Sequence, residues 1–282
     1  MIFKKAEFSQ YNILKDFLIN YESQCVQLSS YLRKNDPNIF YFSEKSQIQT
    51  KEDIIGVFYI HGTLLHCFPT YYHYLNNTDF HNSFLQFLSD KKIKVLSGES
   101  GASDFLVEIL KKNNQIPFQR ISYKMFSLEG NINLPPVKLV NDEEIRRSTQ
   151  NDFENLLEIQ KQYLISEVVP KGKKLTDLEL KINLKQILKT QIVLTLNTND
   201  LIVAKVNSNA IGWNFVQIGG VYTNPLYRRN YYAWQLIYNL SLRILNSKRK
   251  VCLFVKEKNQ PAISLYQQIG FTEYAKYQIN YF

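Results

Sequence analysis

The residues best suited to chemistry lie in one stretch, residues 217–233, which reads QIGGVYTNPLYRRNYYA. Gly219 and Gly220 interrupt a β-like run, where glycine is typical of a bulge or of a ligand approaching the backbone closely. Arg228 and Arg229 precede a long segment with the apolar periodicity of a helix. Because the first turn of a helix leaves N–H groups unpaired and carries partial positive charge, this stretch is a candidate pyrophosphate site. Two other interpretations stay open: a bend without a ligand and a solvated basic pair.

A second stretch, residues 253–271, reads LFVKEKNQPAISLYQQIGF and predicts a strand followed by a short helix. Asn259 is a suitable helix cap, a proline is tolerated in the first turn, and Gly270 is a suitable stop. Tyr266 lies beside the apolar stripe of this helix, where spacing alone predicts a half-buried core tyrosine.

These stretches together resemble the GNAT N-acetyltransferase superfamily. A strand and a short turn followed by R/Q-x-x-G-x-G/A at the start of a long helix is the acetyl-CoA signature of that superfamily. Arg228-x-x-Tyr231-x-Ala233 is similar to it, with Tyr231 where the family usually has glycine. VYTNPLYRR and NQPAISLYQQIGF are similar to the family words VYT-x-P-x-Y-R and N-x-x-A-x-x-L-Y-x-x-x-G-F. The detailed resemblance covers about residues 190–282.

The resemblance implies acetyl-CoA as cosubstrate and assigns roles to particular residues. Tyr266 is expected to be the general acid that protonates the departing CoA thiolate. The opened strand is expected to offer main-chain groups of residues 219–223 to the pantetheine arm and the acetyl carbonyl, and the amides of residues 229–233 are expected to hold the pyrophosphate. The implied cofactor contacts are Gly220, Val221, Tyr222, Thr223, Arg228, Arg229, Asn230, Tyr231, Tyr232, Ala233 and Asn259. The Tyr231 ring stands where backbone usually comes close, although the Tyr231 N–H is kept.

The implied reaction is direct attack of a neutral primary amine on the acetyl thioester, without a covalent enzyme intermediate. A general base must come from a carboxylate, water or the substrate, because all four histidines lie in the N-terminal half: His61, His66, His73 and His81. Glu167, in YLISEVVP, is the candidate base or amine anchor, and a solvated helix-end glutamate is the alternative. The histidines lack paired helical spacing, and Cys25, Cys67 and Cys252 lack CxxC spacing, so no metal is expected.

The stretch EGNINLPPVKLV, residues 129–140, marks a connector, because glycine, asparagine and a proline pair disfavour a helix. We predict a degenerate GNAT-like domain over residues 1–130, a linker over 131–139 and a GNAT acetyltransferase domain over 140–282. The expected fold class is α+β (mixed α/β), with two tandem GNAT-like domains, each a twisted, mostly antiparallel sheet flanked by helices.

The predicted elements recur in the same order in both halves, although residue identity between the halves is almost absent. In the first half we predict helices at 11–19, 22–32, 79–89 and 102–112, and strands at 39–43, 54–60, 63–68, 93–96 and 120–126. In the second we predict helices at 152–165, 175–189, 230–245 and 260–269, and strands at 137–140, 192–196, 201–206, 215–223 and 250–255, with a closing strand pair over 273–282.

Composition excludes several classes of protein. The chain has 282 residues, 45% hydrophobic and 21% charged, a balance typical of globular proteins rather than disordered chains. No apolar run is long enough for a membrane span and no signal peptide is apparent, so we expect a cytoplasmic protein without membrane partners. The net charge is +9, concentrated after residue 138 with 19 basic and 12 acidic side chains, which suits a polyanionic ligand.

Charge alone also allows a nucleic-acid binder, but no RRM, zinc-finger or helix-turn-helix signature supports one, and no nucleic-acid partner is expected. A non-catalytic acyl-CoA-binding or regulatory protein is the other alternative, motivated by Tyr231. The expected acceptor is a small-molecule or peptide amine whose identity stays open, as does the oligomeric state.

Overall fold

The protein is described by a computed structural model over residues 2–130, 132, 139–140, 142–170 and 172–282. The first half contains β1 (Ile2–Lys5), α1 (Tyr11–Ile19), α2 (Glu22–Arg33), β2 (Ile39–Ser43), β3 (Gly56–His61), β4 (Thr63–Cys67), α3 (Thr78–Leu88), β5 (Val95–Glu99), α4 (Ser100–Lys112) and β6 (Gln119–Leu128). The second contains β7 (Glu143–Arg147), α5 (Phe153–Tyr163), α6 (Asp177–Thr190), β8 (Val193–Thr198), β9 (Leu201–Ile211), β10 (Phe215–Thr223), α7 (Tyr232–Asn246), β11 (Lys250–Lys256), α8 (Gln260–Ile269) and β12 (Thr272–Tyr281).

The two halves contain the same elements in the same order, which confirms the predicted mixed α/β fold with two similar halves. The strands that open the halves, β1 and β7, were not predicted. The predicted closing strand pair over 273–282 is wrong, because this segment is the single strand β12. Residues 131, 133–138 and 141 lie outside the described residues, so the predicted strand at 137–140 and most of the linker 131–139 cannot be compared. The domain boundaries stay predictions.

All twelve strands of the described residues form one sheet, in the order β1-β2-β3-β4-β5-β12-β6-β11-β10-β9-β8-β7. The last strand of each half therefore lies inside the other half. Strand β12 pairs antiparallel with both β5 and β6, and β6 pairs antiparallel with β11. Equivalent strands of the two halves stand at equal distances from the central pair of β12 and β6, so the strand order has an approximate twofold relation between the halves.

The helices cover the sheet through apolar faces. Helix α7 buries Leu236, Ile237 and Leu240 in a core that includes residues of β8 to β11. The core on the other side of the centre is rich in phenylalanine: Phe42, Phe58, Phe68, Phe80, Phe84 and Phe105. These rings stabilise the N-terminal half by burial.

A buried carboxylate also ties the halves together. Glu22, at the start of α2, is 1% exposed and accepts the N–H groups of Trp213 and Asn214 at 2.6 and 2.8 Å. These residues form the connection between β9 and β10. Burial raises the pKa of Glu22, while the same backbone donors oppose that shift. Helix α2 is thereby fixed to the strand pair β9 and β10, and β10 contains Gly219 and Gly220.

We expect Glu22→Ala to destabilise the folded chain by about 3 kcal/mol, because two buried N–H groups would lose their acceptor. The melting temperature, followed by circular dichroism, measures the effect. Glu22→Gln keeps one acceptor oxygen and should lose less stability, whereas Glu52→Ala, at an exposed glutamate, should melt like the parent. A Glu22→Ala chain with the melting temperature of the parent would contradict this role.

Candidate active site

Strands β10 and β11 form a fork. They pair in parallel only from Phe215 with Lys250 to Ile218 with Leu253. Beyond that point, β10 continues along β9, and β11 continues along β6. After Ile218, β10 therefore has no neighbouring strand on the side of β11, and an opening lies there. We call this opening the C-terminal fork.

Gly220 forms a bulge at the base of the fork. Its φ of +60° lies in the left-handed region, and a Cβ there would collide with the side-chain oxygen of Asn207. The register between β10 and β9 shifts between Gly219 and Tyr222, where the bulge lies. The left-handed φ and the lack of room for a Cβ both favour glycine at position 220, inside an otherwise β-like run.

Lys205 on β9 binds the backbone of this bulge. This lysine was not predicted from the sequence. The side chain is 2% exposed, and Nζ donates to the Gly220 carbonyl at 2.9 Å and to Asn207 Oδ1 at 3.2 Å. Nζ also lies 4.4 Å from the centre of the Tyr163 ring. Burial lowers the pKa of Lys205 to about 7. A buried amine titrating near neutrality beside a strained backbone is a common feature of functional sites.

The loop before α7 has the backbone expected of an anion site. Arg229 and Tyr231 have φ of 69° and 58°, and Tyr231, 67% exposed, begins α7 without a capping side-chain hydrogen bond. The first amides of α7 are therefore free of side-chain acceptors from their own cap. The Arg228 Nε donates to the Thr223 carbonyl at 3.1 Å, and its guanidinium carbon lies 5.7 Å from the centre of the Tyr222 ring.

The predicted cofactor residues divide into two groups. Arg228, Arg229, Asn230 and Tyr231 are exposed, and Ala233 is half-buried at the start of α7. Tyr232 instead turns inward, where its hydroxyl donates to Glu143 Oε1 at 2.6 Å, so only its backbone is available to a ligand. Tyr222 is also buried, whereas Val221 and Thr223 are half-buried along the fork. The Thr223 hydroxyl is buried without a partner among the described residues.

Tyr266 and Asn259 belong to α8, whose predicted bounds coincide with the observed helix. The Asn259 side chain accepts the Ala262 N–H at 3.3 Å as the predicted cap. Tyr266 is 6% exposed, more buried than spacing alone predicted, with its ring near Phe126 and Phe271. Burial, followed by the charges of Tyr163 and Glu167, raises the pKa of Tyr266, so its hydroxyl stays protonated at neutral pH.

Glu167 lies in a π-helical turn, Leu164–Val168, which extends α5. Such turns occur often at functional sites. Its carboxylate pairs with Lys256 at the end of β11, with Nζ 3.0 Å from Oε2. Burial is the main cause that raises the pKa of Tyr163 to about 12; the Gly220 amide opposes this shift and Glu167 adds to it. The structure thus brings Glu167, Tyr163 and Tyr266 together beside the C-terminal fork.

The described part of the chain contains no cluster of three or more histidine, cysteine, aspartate or glutamate side chains placed to hold a metal ion. Within the same residues, every helix is too short or too polar to span a membrane.

Comparisons with known proteins agree with this geometry. Residues 202–279, which include the fork, α7 and α8, match the family model described as FR47-like protein. A crystal structure of a Drosophila protein covers 100% of this chain and 98% of its own, at a TM-score of 0.71 and 13% identity. A GCN5-related N-acetyltransferase from Sphaerobacter thermophilus covers 99% and 94%, at a TM-score of 0.62 and 12% identity. A GNAT-family acetyltransferase from Colwellia psychrerythraea covers 100% of both chains, at a TM-score of 0.58 and 10% identity. The curated proteins contain no match.

These structural likenesses extend over both halves of the chain, whereas the family match lies in the half that contains the fork. The chain therefore has the fold of the GNAT acetyltransferase superfamily along its whole length, and the resemblance to that superfamily predicted from its sequence is confirmed.

Proposed function

We propose that the protein is an acetyl-CoA-dependent N-acetyltransferase that transfers the acetyl group to a primary amine by direct attack in a ternary complex. The observation that carries the proposal is the C-terminal fork, where a buried lysine holds the Gly220 carbonyl. The neighbouring loop, Arg228–Tyr231, leads into a helix start with free amides and two arginines. One polar opening beside an anion site fits a thioester attached to a pyrophosphate.

The Gly220 peptide gives the fork its proposed electrostatic role. The peptide unit is planar and trans, so the N–H of Val221 points away from the carbonyl that Lys205 binds. We assign this N–H as the donor to the thioester oxygen, which gains negative charge as the amine attacks. A fixed donor of this kind contributes about 3 kcal/mol to catalysis.

Tyr266 and Glu167 are assigned the proton transfers. Acetyl-CoA supplies a thioester with a good leaving group, and the protein must supply a proton for the thiolate. Because burial raises the pKa of Tyr266, the hydroxyl stays protonated and can donate. Glu167 is proposed to anchor or deprotonate the amine, with Lys256 fixing the orientation of its carboxylate.

A calorimetric titration with acetyl-CoA tests the proposal. We expect one site per chain, and Arg228→Glu should weaken binding at least about tenfold, because it replaces a favourable charge with an unfavourable one at a phosphate site. Lys189→Glu, which changes charge equally at the far end of α6, is the matched control and should bind like the parent. No binding by the parent at millimolar acetyl-CoA would overturn the proposed function.

The Tyr231 ring gives a second test. Tyr231→Gly removes both the ring and the left-handed strain, whereas Tyr231→Ala removes only the ring and keeps most of the strain. If the ring narrows the phosphate loop, both variants should bind acetyl-CoA about three- to tenfold more tightly, the equivalent of about 1 kcal/mol. If strain alone limits the site, only Tyr231→Gly should gain affinity. Unchanged affinity in both variants would show that Tyr231 does not limit binding.

A further inference from the structure

A cavity of about 670 Å³ opens in the N-terminal half at the counterpart of the C-terminal fork. There β4 and β5 pair in parallel from Thr63 with Val95 to Leu65 with Ser97, and then separate. Strand β12 forms one wall through Tyr274, Ala275 and Lys276. Cavities of this size hold small organic ligands in proteins. We call this cavity the N-terminal fork.

The N-terminal fork lacks the space that CoA would need between its strands. The two residues that follow the last paired residue are His66 and Cys67, where the C-terminal fork has Gly219 and Gly220. The His66 ring lies against Gly98 of β5, so close that a Cβ at Gly98 would collide with it. His66 thus occupies the gap between the separating strands, where the other half has no side chain.

Two helix starts in this half are also closed to phosphate: the start of α4, which lines the cavity, and the start of α3, which corresponds to α7 in the order of the elements. In α4, the Glu99 carboxylate takes the N–H groups of Gly101 and Ala102, both at 2.9 Å. In α3, Asn77 Oδ1 takes the Phe80 N–H at 2.9 Å, and Asp79 adds negative charge to the first turn. Neither start offers the free amides and arginines of α7, so a pyrophosphate would meet carboxylates instead.

The lining instead suits an organic cation. Glu99, Asp104 and Lys276 are its charged residues, and Arg120, which is not part of the lining, forms an ion pair with Asp104. Both the Arg120 and the Gln278 contacts of Asp104 are made by Oδ1, at 2.7 and 3.0 Å, so Oδ2 stays available. Aromatic rings complete the wall: Tyr21, Phe68, Tyr71, Tyr72 and Tyr274. Carboxylates combined with aromatic faces recognise ammonium groups.

His66 lines the cavity and carries no charge. His66 is 3% exposed, with Nε2 2.7 Å from Ser103 Oγ, but its Nδ1 is buried without a partner among the described residues. Burial lowers the pKa of His66 to about 3, so the ring is neutral and does not repel a cation.

From these observations we infer that the N-terminal fork is a second ligand site, separate from the acetyl-CoA site, which takes a small organic ammonium ion with an aromatic or apolar body. The inference does not depend on the acetyltransferase function, since neither the cavity nor its lining involves the C-terminal fork.

Phenethylamine is the probe, titrated into the full chain by calorimetry with and without saturating acetyl-CoA. Phenethyl alcohol and hydrocinnamate, a neutral and an anionic analogue of similar size, provide the comparison. We expect the amine to bind in both conditions and at least about tenfold more tightly than either analogue, as expected for an ion pair supported by ring faces. Equal binding of the three probes, preferred binding of the anion, or no binding of the amine would overturn the inference.

Two variants locate the site. Asp104→Asn removes the available carboxylate and should weaken amine binding about tenfold, whereas Asp90→Asn, outside the cavity, should not change it. Ala275→Trp fills the cavity without removing a polar group and should abolish binding. Thermal melting of the same samples, followed by circular dichroism, shows whether each variant is folded. Amine binding that survives Asp104→Asn and Ala275→Trp but is lost in Glu167→Gln would place the amine at the C-terminal fork and overturn the inference.

Discussion

Tyr266→Phe should lower kcat by about 10²- to 10⁴-fold, the usual contribution of a positioned general acid. The affinity for acetyl-CoA should stay within about threefold of the parent, because the ring and its packing are kept and only the hydroxyl is lost. The buried Tyr266 hydroxyl, whose pKa is raised, is the proposed proton source for the thiolate. Turnover is measured by thiol release with a panel of amines, and binding is measured by calorimetry on the same sample.

Tyr59→Phe is the matched control for this experiment. Tyr59 is likewise buried, with its pKa raised by burial, but it lies in the N-terminal half and stacks on Tyr31. Turnover of this variant should equal that of the parent. Full activity in Tyr266→Phe would contradict the general-acid role. A parent that binds acetyl-CoA but turns over no amine would favour the non-catalytic alternative.

Local signals predicted the fold where they are strong. The bounds of α8 were predicted correctly because Asn259 and Gly270 are a cap and a stop that act within a few residues of the helix. The strand β10 was predicted equally well, since its apolar residues and the following Asn-Pro turn are local. The strand β9 was predicted too short, because its polar residues after Val206 are not typical of a strand, yet Asn207 and Ser208 pair with β10.

Long-range features could not be predicted in this way. The exchange of β6 and β12 between the halves depends on pairing between strands about 150 residues apart, which no local pattern encodes. The same reason hides Lys205, which reads as one polar residue in an alternating strand. Its importance comes from the contact of Nζ with the Gly220 carbonyl. The two glycines predicted the bulge but not the lysine that binds it.

Lys205→Met provides the sharpest test of how the fork works. Without Nζ, the Gly220 carbonyl loses its donor, and the Val221 N–H is no longer held in direction. We expect kcat to fall about 10²- to 10³-fold, as for the loss of one oxyanion donor, with little change in the affinity for acetyl-CoA. Lys205→Gln, whose amide can still donate to a carbonyl, should recover part of the lost rate. A Lys205→Met enzyme with the kcat of the parent would contradict this role.

The same substitution should change the stability of the folded chain by an amount that depends on pH. A lysine on the surface would not show this dependence. The pKa of Lys205 is lowered to about 7 in the folded chain, whereas in the unfolded chain it returns to about 10.5. Between these values the unfolded chain binds more protons, so the stability of the parent rises with pH across this window. Methionine has no proton to lose, so Lys205→Met lacks this rise. The melting temperature of the variant relative to the parent should therefore be highest at pH 7 and fall towards pH 10. A difference that is constant with pH would mean that Lys205 is not buried as the amine that holds the fork, and the assignment of Val221 as donor would fail with it.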